Sequence, residues 1–442
     1  MRVGLIAMSG IRAYDEELLR LGLTLPGFVE RSKTIASLPS LGLLTLAGMT
    51  PPEHEVEYLE VPDIRDLKEL PDRFDLVSLS SYTAQIEEAY ELSDRYRAAG
   101  VPTVIGGLHA SVLPEEAADH CDAVAIGEGE SIWPEILRDC GNGGLRKYYG
   151  ALETEFDLDE APMPAFELLD ISKYNRLTVQ TSRGCPFRCE FCASSVLVSG
   201  RYKQKPLEKV LAETDRILEI WKHPFIEFAD DNTFVNHAYW KKLLPELAAR
   251  KLRWFTETDI SLSRDEELLH LVRESGCAQV LIGLESPIEG DLEGLELKSN
   301  WKKKQWAKYK EAIRKIQSHG ITVNGCFVLG LDRHGPEIFD AVLDFVKETE
   351  LYEVQITIQT PFPGTPLYER LAKEGRILEG YPWKKYTLFD ITYEPKGMSV
   401  EELAKGFREL GVRIYGEEFT NWRRESFRRN LREQIRRERS PS

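Results

Sequence analysis

Short apolar runs recur along residues 1–145, separated by stretches with helical spacing. VGLIAM (3–8), VEYLEV (56–61), DLVSLS (75–80), VPTVIGG (101–107) and DAVAIG (122–127) have the length and β-branched content of buried strands. LGLLTLAGM (41–49) and IEEAYELSDRYRAAG (86–100) place apolar residues at helical intervals between them. The alternation predicts an α/β domain over 1–145 with a doubly wound, Rossmann-like parallel sheet. Ligands of such sheets sit at the carboxyl ends of the strands. Here those ends read Ser80-Ser81-Tyr82, Gly106-Gly107-Leu108-His109 and Gly127-Glu128-Gly129-Glu130. They are small or glycine-rich turns that let a ligand approach the backbone, although glycines at strand ends are also ordinary turn formers.

Residues 146–175 mix Gly, Pro and acidic residues without periodicity, which predicts a linker. A second strand and helix series follows in RLTVQTS (176–182), FIEFAD (225–230), RWFTET (253–258), QVLIGLE (279–285), ITVNGCFVLG (321–330) and VQITIQT (354–360). The gaps hold helical patterns such as PLEKVLAETDRILEIW (206–221) and KKKQWAKYKEAIRKIQSHG (302–320). Six parallel strands predict a partial (β/α)6, TIM-like barrel over 176–370, with chemistry at its carboxyl-terminal mouth. Residues 371–442 read as a small, mostly helical carboxy-terminal region.

Composition narrows the function classes. Hydrophobic residues make up 42% and charged residues 29% of 442 residues, the balance of a globular chain. No apolar run reaches the roughly 20 residues of a membrane helix, and MRVGLIAMSG lacks the features of a signal peptide, so a cytoplasmic location is expected. A net charge of -16 repels a phosphate backbone, and nucleic acid is not expected as a partner. The arginine-rich NWRRESFRRNLREQIRRER (421–439) stands apart. It reads as a closing helix that docks Phe427, Leu431 and Ile435 on the barrel, or alternatively as a basic amphipathic helix for peripheral membrane contact.

Seven cysteines, an odd number, argue against a disulfide framework. Cys185, Cys189 and Cys192 fall in C-x3-C-x2-C directly after the first barrel strand. The others (Cys121, Cys140, Cys277, Cys326) lie singly and read as ordinary buried residues. Structural zinc wants four ligands, usually as separated pairs, whereas three thiolates on a four-iron cluster leave one iron open to a substrate. The iron–sulfur reading leads, with zinc or a purely structural cysteine cluster as the alternatives.

With the aromatic Phe191 ahead of the last cysteine, this stretch resembles the radical S-adenosylmethionine (SAM) enzymes. The resemblance implies a 4Fe-4S cluster whose open iron chelates SAM and whose electron splits it into methionine and a 5'-deoxyadenosyl radical, with flavodoxin or ferredoxin as donor. It further implies that Asp230 and Asp231 meet the methionine amino group, Glu285 and Ser286 the ribose, and Val328 and Gly330 the adenine, though Cys326 stands where glycine is usual. LPSLGLLTLAGMTP (38–51), GGLHASVLPEEAADHCDAVAIGEGES (106–131) and TPFPGTPLYERLAKEGRIL (360–378) resemble the cobalamin-binding subgroup of that family. By that resemblance Ser80, Ser81, Gly106, Gly107, His109, Gly127, Glu128 and Gly129 become cobalamin contacts. The chain has no Asp-x-His-x-x-Gly, which implies cobalamin without the usual lower histidine ligand.

The implied reaction is methylation of an unactivated carbon in a small-molecule or lipid substrate. A non-methylating radical reaction (cyclisation, ring contraction or oxidation) is the second reading, and a non-catalytic cobalamin or redox sensor the third. Substrate-lining residues are expected from the segment Gly10 to Lys33 and from 361–442.

Overall fold

The computed structural model describes residues 1–10, 38–71, 73–193 and 201–439, so the segment Gly10 to Lys33, apart from Gly10 itself, lies outside the described residues. The first sheet contains β1 (Arg2–Met8), β2 (Glu55–Val61), β3 (Leu76–Ser80), β4 (Thr103–Gly106), β5 (Ala123–Ile126) and β6 (Tyr148–Gly150). All six are parallel, in the order β2-β1-β3-β4-β5-β6. β1 is an inner strand, apolar from Val3 to Met8, because helices cover both faces. Leu41–Met49 and Trp133–Gly141 pack on one side, and Ile86–Ala98 on the other. The strand order reverses between β1 and β3, and there the carboxyl ends part to leave a crevice.

β6 corrects the linker expectation for 146–175. Tyr148–Gly150 extends the sheet, pairing with Val124–Ile126, and is only three residues long, too short to show a period in the sequence. The remainder of the segment joins the domains. Ala165 N donates to Leu44 O at 2.9 Å, Tyr174 Oη to Glu60 at 2.6 Å, and Lys209 Nζ to Ala161 O at 2.8 Å.

The second sheet comprises β7 (Leu177–Val179), β10 (Phe225–Phe228), β11 (Arg253–Thr258), β12 (Cys277–Glu285), β13 (Thr322–Leu329) and β14 (Glu353–Ile358). They run parallel in sequential order, an open six-stranded barrel. A small antiparallel pair, β8 (Ser182–Arg183) with β9 (Lys203–Gln204), lies outside it. Alternation along the strands divides the barrel. Val179, Ile226, Phe228, Val280, Val323 and Ile356 join the core beneath the helices. The intervening positions Thr178, Glu227, Glu257, Cys326, Gln355 and Thr357 are polar and line cavities. A closed small barrel fills its interior with apolar side chains, so this polar inner wall belongs to a lumen built to hold something.

The carboxy-terminal helices Val400–Tyr415 and Glu417–Arg439 close the outside of the barrel. Arg423 is fully buried, donating to Tyr352 O and Ile414 O, and Phe427 meets Tyr352 edge-on at 5.1 Å. Arg429 pairs with Glu350 at 2.8 Å. The docking stripe is shorter than expected: Ile435 is 39% exposed, because the helix runs past the edge of its support. No helix among the described residues is long and apolar enough to cross a membrane.

Candidate functional site

The cysteine loop is closed off at its base. Ser182 and Arg183 on its near side pair with Gln204 and Lys203 on its far side. Asp230, just after β10, accepts hydrogen bonds from the Thr181 and Ser182 amides at 2.7 and 2.9 Å and from the Thr181 hydroxyl. Asp231 accepts from Gly184 N at 2.7 Å. A second anchor is Glu296, which accepts from the amides of Arg188, Lys298, Ser299 and Trp301 at 2.7–3.1 Å. Its carboxyl is held down to about 2, since these bonds outweigh the burial that opposes ionisation.

So anchored, Cys185, Cys189 and Cys192 line one cavity of about 460 Å³ at the barrel mouth. Burial pushes the Cys185 thiol up to about 11 and the Cys189 thiol further in the same direction. Thiolates there need cationic compensation, which a metal centre supplies. Among the described residues no three His, Cys, Asp or Glu side chains converge on a single ion. Three separate thiols around one cavity fit a polynuclear centre, in which each thiolate takes its own iron, better than one zinc ion.

Across the same cavity stand Asp231, Glu285, Lys302, Cys326 and Val328, together with Phe191. Glu285 has a φ of 64°, an uncommon conformation for a side chain with a Cβ, and its carboxylate pairs with Lys302 at 2.9 Å. Lys302 also donates to Gly283 O at 2.6 Å. Although burial opposes its charge, Glu285 and the nearby Cys189 hold it protonated. Asn232 Nδ2 donates to Asp259 at 2.8 Å and approaches Cys185 Sγ at 3.9 Å.

Three expected contacts are placed elsewhere, among them Gly330, whose carbonyl accepts from Tyr393 Oη and which does not line the cavity. Asp230 is 3% exposed and committed to the loop base, so of the acidic pair only Asp231 reaches the cavity. Ser286 is buried, donates to Asp291 at 2.7 Å and does not line the cavity. Cys326 departs from the ordinary buried role expected of it, because strand alternation turns it to the lumen.

Above the first sheet lies a cavity of about 410 Å³, lined on one side by Ser80, Ser81, Tyr82 and Gly107 and on the other by Thr178, Gln180 and Glu227 of the barrel. It adjoins a slot of about 220 Å³ that descends past Gly106, Gly127, Glu128 and Gly129 to Val104, Ala125 and Ile136. The two share Ser80, Gly107 and Arg183. Gly107 and Gly127 have φ of 97° and 83°, and a Cβ on Gly127 would lie 2.6 Å from Ala151 O. A larger opening leading to a smaller slot, both mostly apolar with a few polar groups, fits a flat macrocycle with an appended nucleotide tail. Tyr82 is 62% exposed, and the surface that it offers belongs to this opening.

His109 faces away from that space. It is fully buried, bonded to Thr83 at 3.2 Å and Glu116 at 3.3 Å, and stands edge-on to Trp383 at 5.0 Å. Among the described residues no histidine lines either cavity of this domain. Glu128 is likewise engaged with protein, pairing with Arg183 at 2.9 Å and Lys203 at 2.8 Å. Burial opposes its ionisation, but Lys203, the Phe156 amide and Arg183 outweigh it and hold its carboxyl below the usual range.

Sequence reasoning missed Arg183, Lys302, Glu296, Asn232 and Glu257. Only Arg183 offered a signal, lying two residues ahead of the first cluster cysteine. The others reach the site from separate strands and loops.

Comparison with known proteins agrees with this geometry. The family model described as the radical SAM superfamily matches residues 179–346, that of the B12 binding domain matches 33–137, and a domain of unknown function matches 365–441. Bacteriochlorophyllide d C-12(1)-methyltransferase of Chlorobaculum tepidum is 28% identical over 86% of this chain and 83% of its own. Hopanoid C-2 methylase of Rhodopseudomonas palustris is 28% identical over 78% of this chain and 66% of its own. The fold matches that of the radical S-adenosylmethionine methyltransferase TsrM from Kitasatospora setae, with a TM-score of 0.68 at 17% identity, covering 98% of this chain and 99% of that one. With a radical SAM barrel carrying its three cysteines at the mouth and a B12-binding sheet set against it, the chain belongs to the cobalamin-binding radical SAM enzymes.

Proposed function

We propose that this enzyme methylates an unactivated carbon of a small-molecule or lipid substrate, cleaving SAM reductively at a 4Fe-4S cluster on Cys185, Cys189 and Cys192. The observation that carries the reading is the joining of two loops. Glu128 and Glu130, after the strand that ends at Ile126, grip Arg183, two residues before Cys185. The crevice above the first sheet and the cysteine cavity are both lined by barrel residues, which supports a single substrate carbon reaching both cofactors.

When bound, the cluster delivers an electron from a flavodoxin- or ferredoxin-type donor to SAM, and cobalamin delivers the methyl group. The chain's own residues position and enclose. Asp231 offers a carboxylate to the methionine ammonium, while Lys302 offers a cation at the edge of the cysteine site and holds Glu285 toward the ribose. Phe191, Val328, Phe362 and Leu388 give part of the wall an apolar surface, which limits water near a radical.

Methylase relatives support the reaction class. The non-methylating alternative has support from one relative, the anaerobic magnesium-protoporphyrin IX monomethyl ester cyclase of Rubrivivax gelatinosus, at 25% identity.

The test is anaerobic incubation of the reconstituted enzyme with reductant, SAM and cell extract as the source of substrate. Methylation predicts 5'-deoxyadenosine and S-adenosylhomocysteine in roughly equal amounts, with the SAM methyl group in a new product. Consumption of substrate with 5'-deoxyadenosine alone gives the reaction to the cyclase or oxidase class.

A further inference from the structure

The cysteine cavity extends past the groups assigned to SAM. On its far wall are Glu257 of β11 and, from β14 onward, Gln355 and Gln359. Glu257 follows Thr256, which pairs with Phe228 beside Glu227 of the first cavity, and it shares the cysteine cavity with Asp231.

Two independent features mark this wall as a ligand site. Glu257 is accessible to the cavity, and among the described residues its carboxylate has neither a hydrogen-bond nor an ion-pair partner. Glu227, by contrast, is paired with Arg176 at 2.5 Å, and Asp231 accepts the Gly184 amide. Gln355 and Gln359 are 7% and 2% exposed, and the Oε1 atom of each is buried without a partner. Buried acceptors without donors are costly and rare, and they are found where a ligand supplies the missing donor. Register brings the two features together: Gln355 pairs with Cys326, whose thiol feels the charge of Glu257. Leu281, Val328 and Ile358 surround them with apolar surface.

We infer that Glu257, Gln355 and Gln359 form the substrate subsite, and that it takes a molecule with a hydrogen-bond-donating head, best a cationic ammonium, on an otherwise apolar body. The inference rests on the methylation reading for the name "substrate", but the binding chemistry is independent of it. Glu257 holds the donor, Gln355 and Gln359 complete its hydrogen bonds, and the adjoining carbon lies between the two cofactor sites. An all-hydrocarbon body with no donor leaves the two buried glutamine acceptors and the Glu257 carboxylate unmet, and an anionic head is repelled.

The test is calorimetric titration of the enzyme loaded with cluster, cobalamin and SAM, without reductant. The probes are octylammonium, octanol and octanoate, alike in length and different in head. Octylammonium is expected to bind about tenfold or more tightly than octanoate, with octanol between them. Glu257→Gln should erase the difference between ammonium and carboxylate, and Glu257→Asp should restore it. Gln355→Leu should weaken octanol and octylammonium together, and SAM affinity should stay within about twofold in every variant. Equal binding of octanoate, or an unchanged preference in Glu257→Gln, overturns the inference. So does a loss of SAM affinity in Glu257→Gln, which assigns the carboxylate to the SAM cation instead. Failure of methylation would show in the product ratio while leaving the probe preference intact.

Discussion

Arg183 donates to Glu128 at 2.9 Å across the boundary between the two sheets. The same guanidinium reaches Glu130, and Lys203 from the far side of the cysteine loop reaches Glu128 at 2.8 Å. All four side chains are largely buried, so the network is a rigid joint between the loop lining the slot over the first sheet and the loop that carries the cysteines. Removing one partner from such a network leaves an uncompensated charge inside the protein.

Arg183→Ala should therefore cost about 3 kcal/mol of stability and lower cobalamin affinity more than tenfold. The cysteines remain, so iron content after reconstitution should stay near that of the wild type. Denaturant unfolding, cobalamin titration and iron assay read the three effects separately. Loss of iron with cobalamin affinity intact would place the residue in the cluster loop alone.

Replacing Cys185, Cys189 and Cys192 together by alanine should abolish iron binding and SAM cleavage, with cobalamin binding retained by the first sheet. Cys277→Ala, a fully buried cysteine in the barrel core, should leave iron unchanged and cost about 1 kcal/mol in packing. Full iron content in the triple variant would refute the assignment.

The neighbours Asp230 and Asp231 should separate. Asp230→Asn disrupts the base of the cysteine loop and should lower stability by about 2 kcal/mol, with poorer cluster retention. Asp231→Asn touches the cavity and should act on SAM affinity first. Equilibrium binding of SAM beside thermal melts distinguishes them; matching effects on both measurements in both variants would contradict the division.

Glu257 faces the cavity rather than open solvent, and the protein around it, with Glu227 and Asp231 adding to the effect, pushes its carboxyl up to about 7 from an ordinary 4.5. Between those values the folded protein holds a proton that the unfolded chain has released, so this group lowers stability as pH rises from about 4.5 to about 7. Glu257→Gln removes that dependence. Thermal melts of the unliganded protein should nearly coincide at about pH 5 and favour the variant at about pH 8. Coincident melts at the higher pH would mean that a cation already compensates the carboxylate.

Much of the architecture was legible because parallel strands covered on both faces must be apolar along their length. VGLIAM and QVLIGLE announce themselves for that reason. β6 escaped because three residues carry no period, and the linker containing it was read from its glycines and prolines. At the site, three cysteines in one short loop were visible because their spacing is local. His109 was misplaced because a histidine after a glycine turn reads the same whether it faces the crevice or, as here, Thr83, Glu116 and Trp383. Trp383 lies more than 250 residues along the chain from those partners, and no local pattern announces it.

Two sheets, their order along the chain and the gathering of three cysteines in one loop all depend on periodicity or spacing within a few residues, so the amino-acid order alone establishes them. Which of two adjacent carboxylates faces the cavity, which glutamates are neutralised and which one lacks a partner among the described residues became visible in the folded chain. Those outcomes depend on what other strands bring within hydrogen-bonding distance. Arg183 meets Glu128 across 55 positions, Lys302 meets Glu285 from a following loop, and Glu257 meets nothing among the described residues. The charge state of a buried group is fixed by its neighbours in space, and the chain order does not name them.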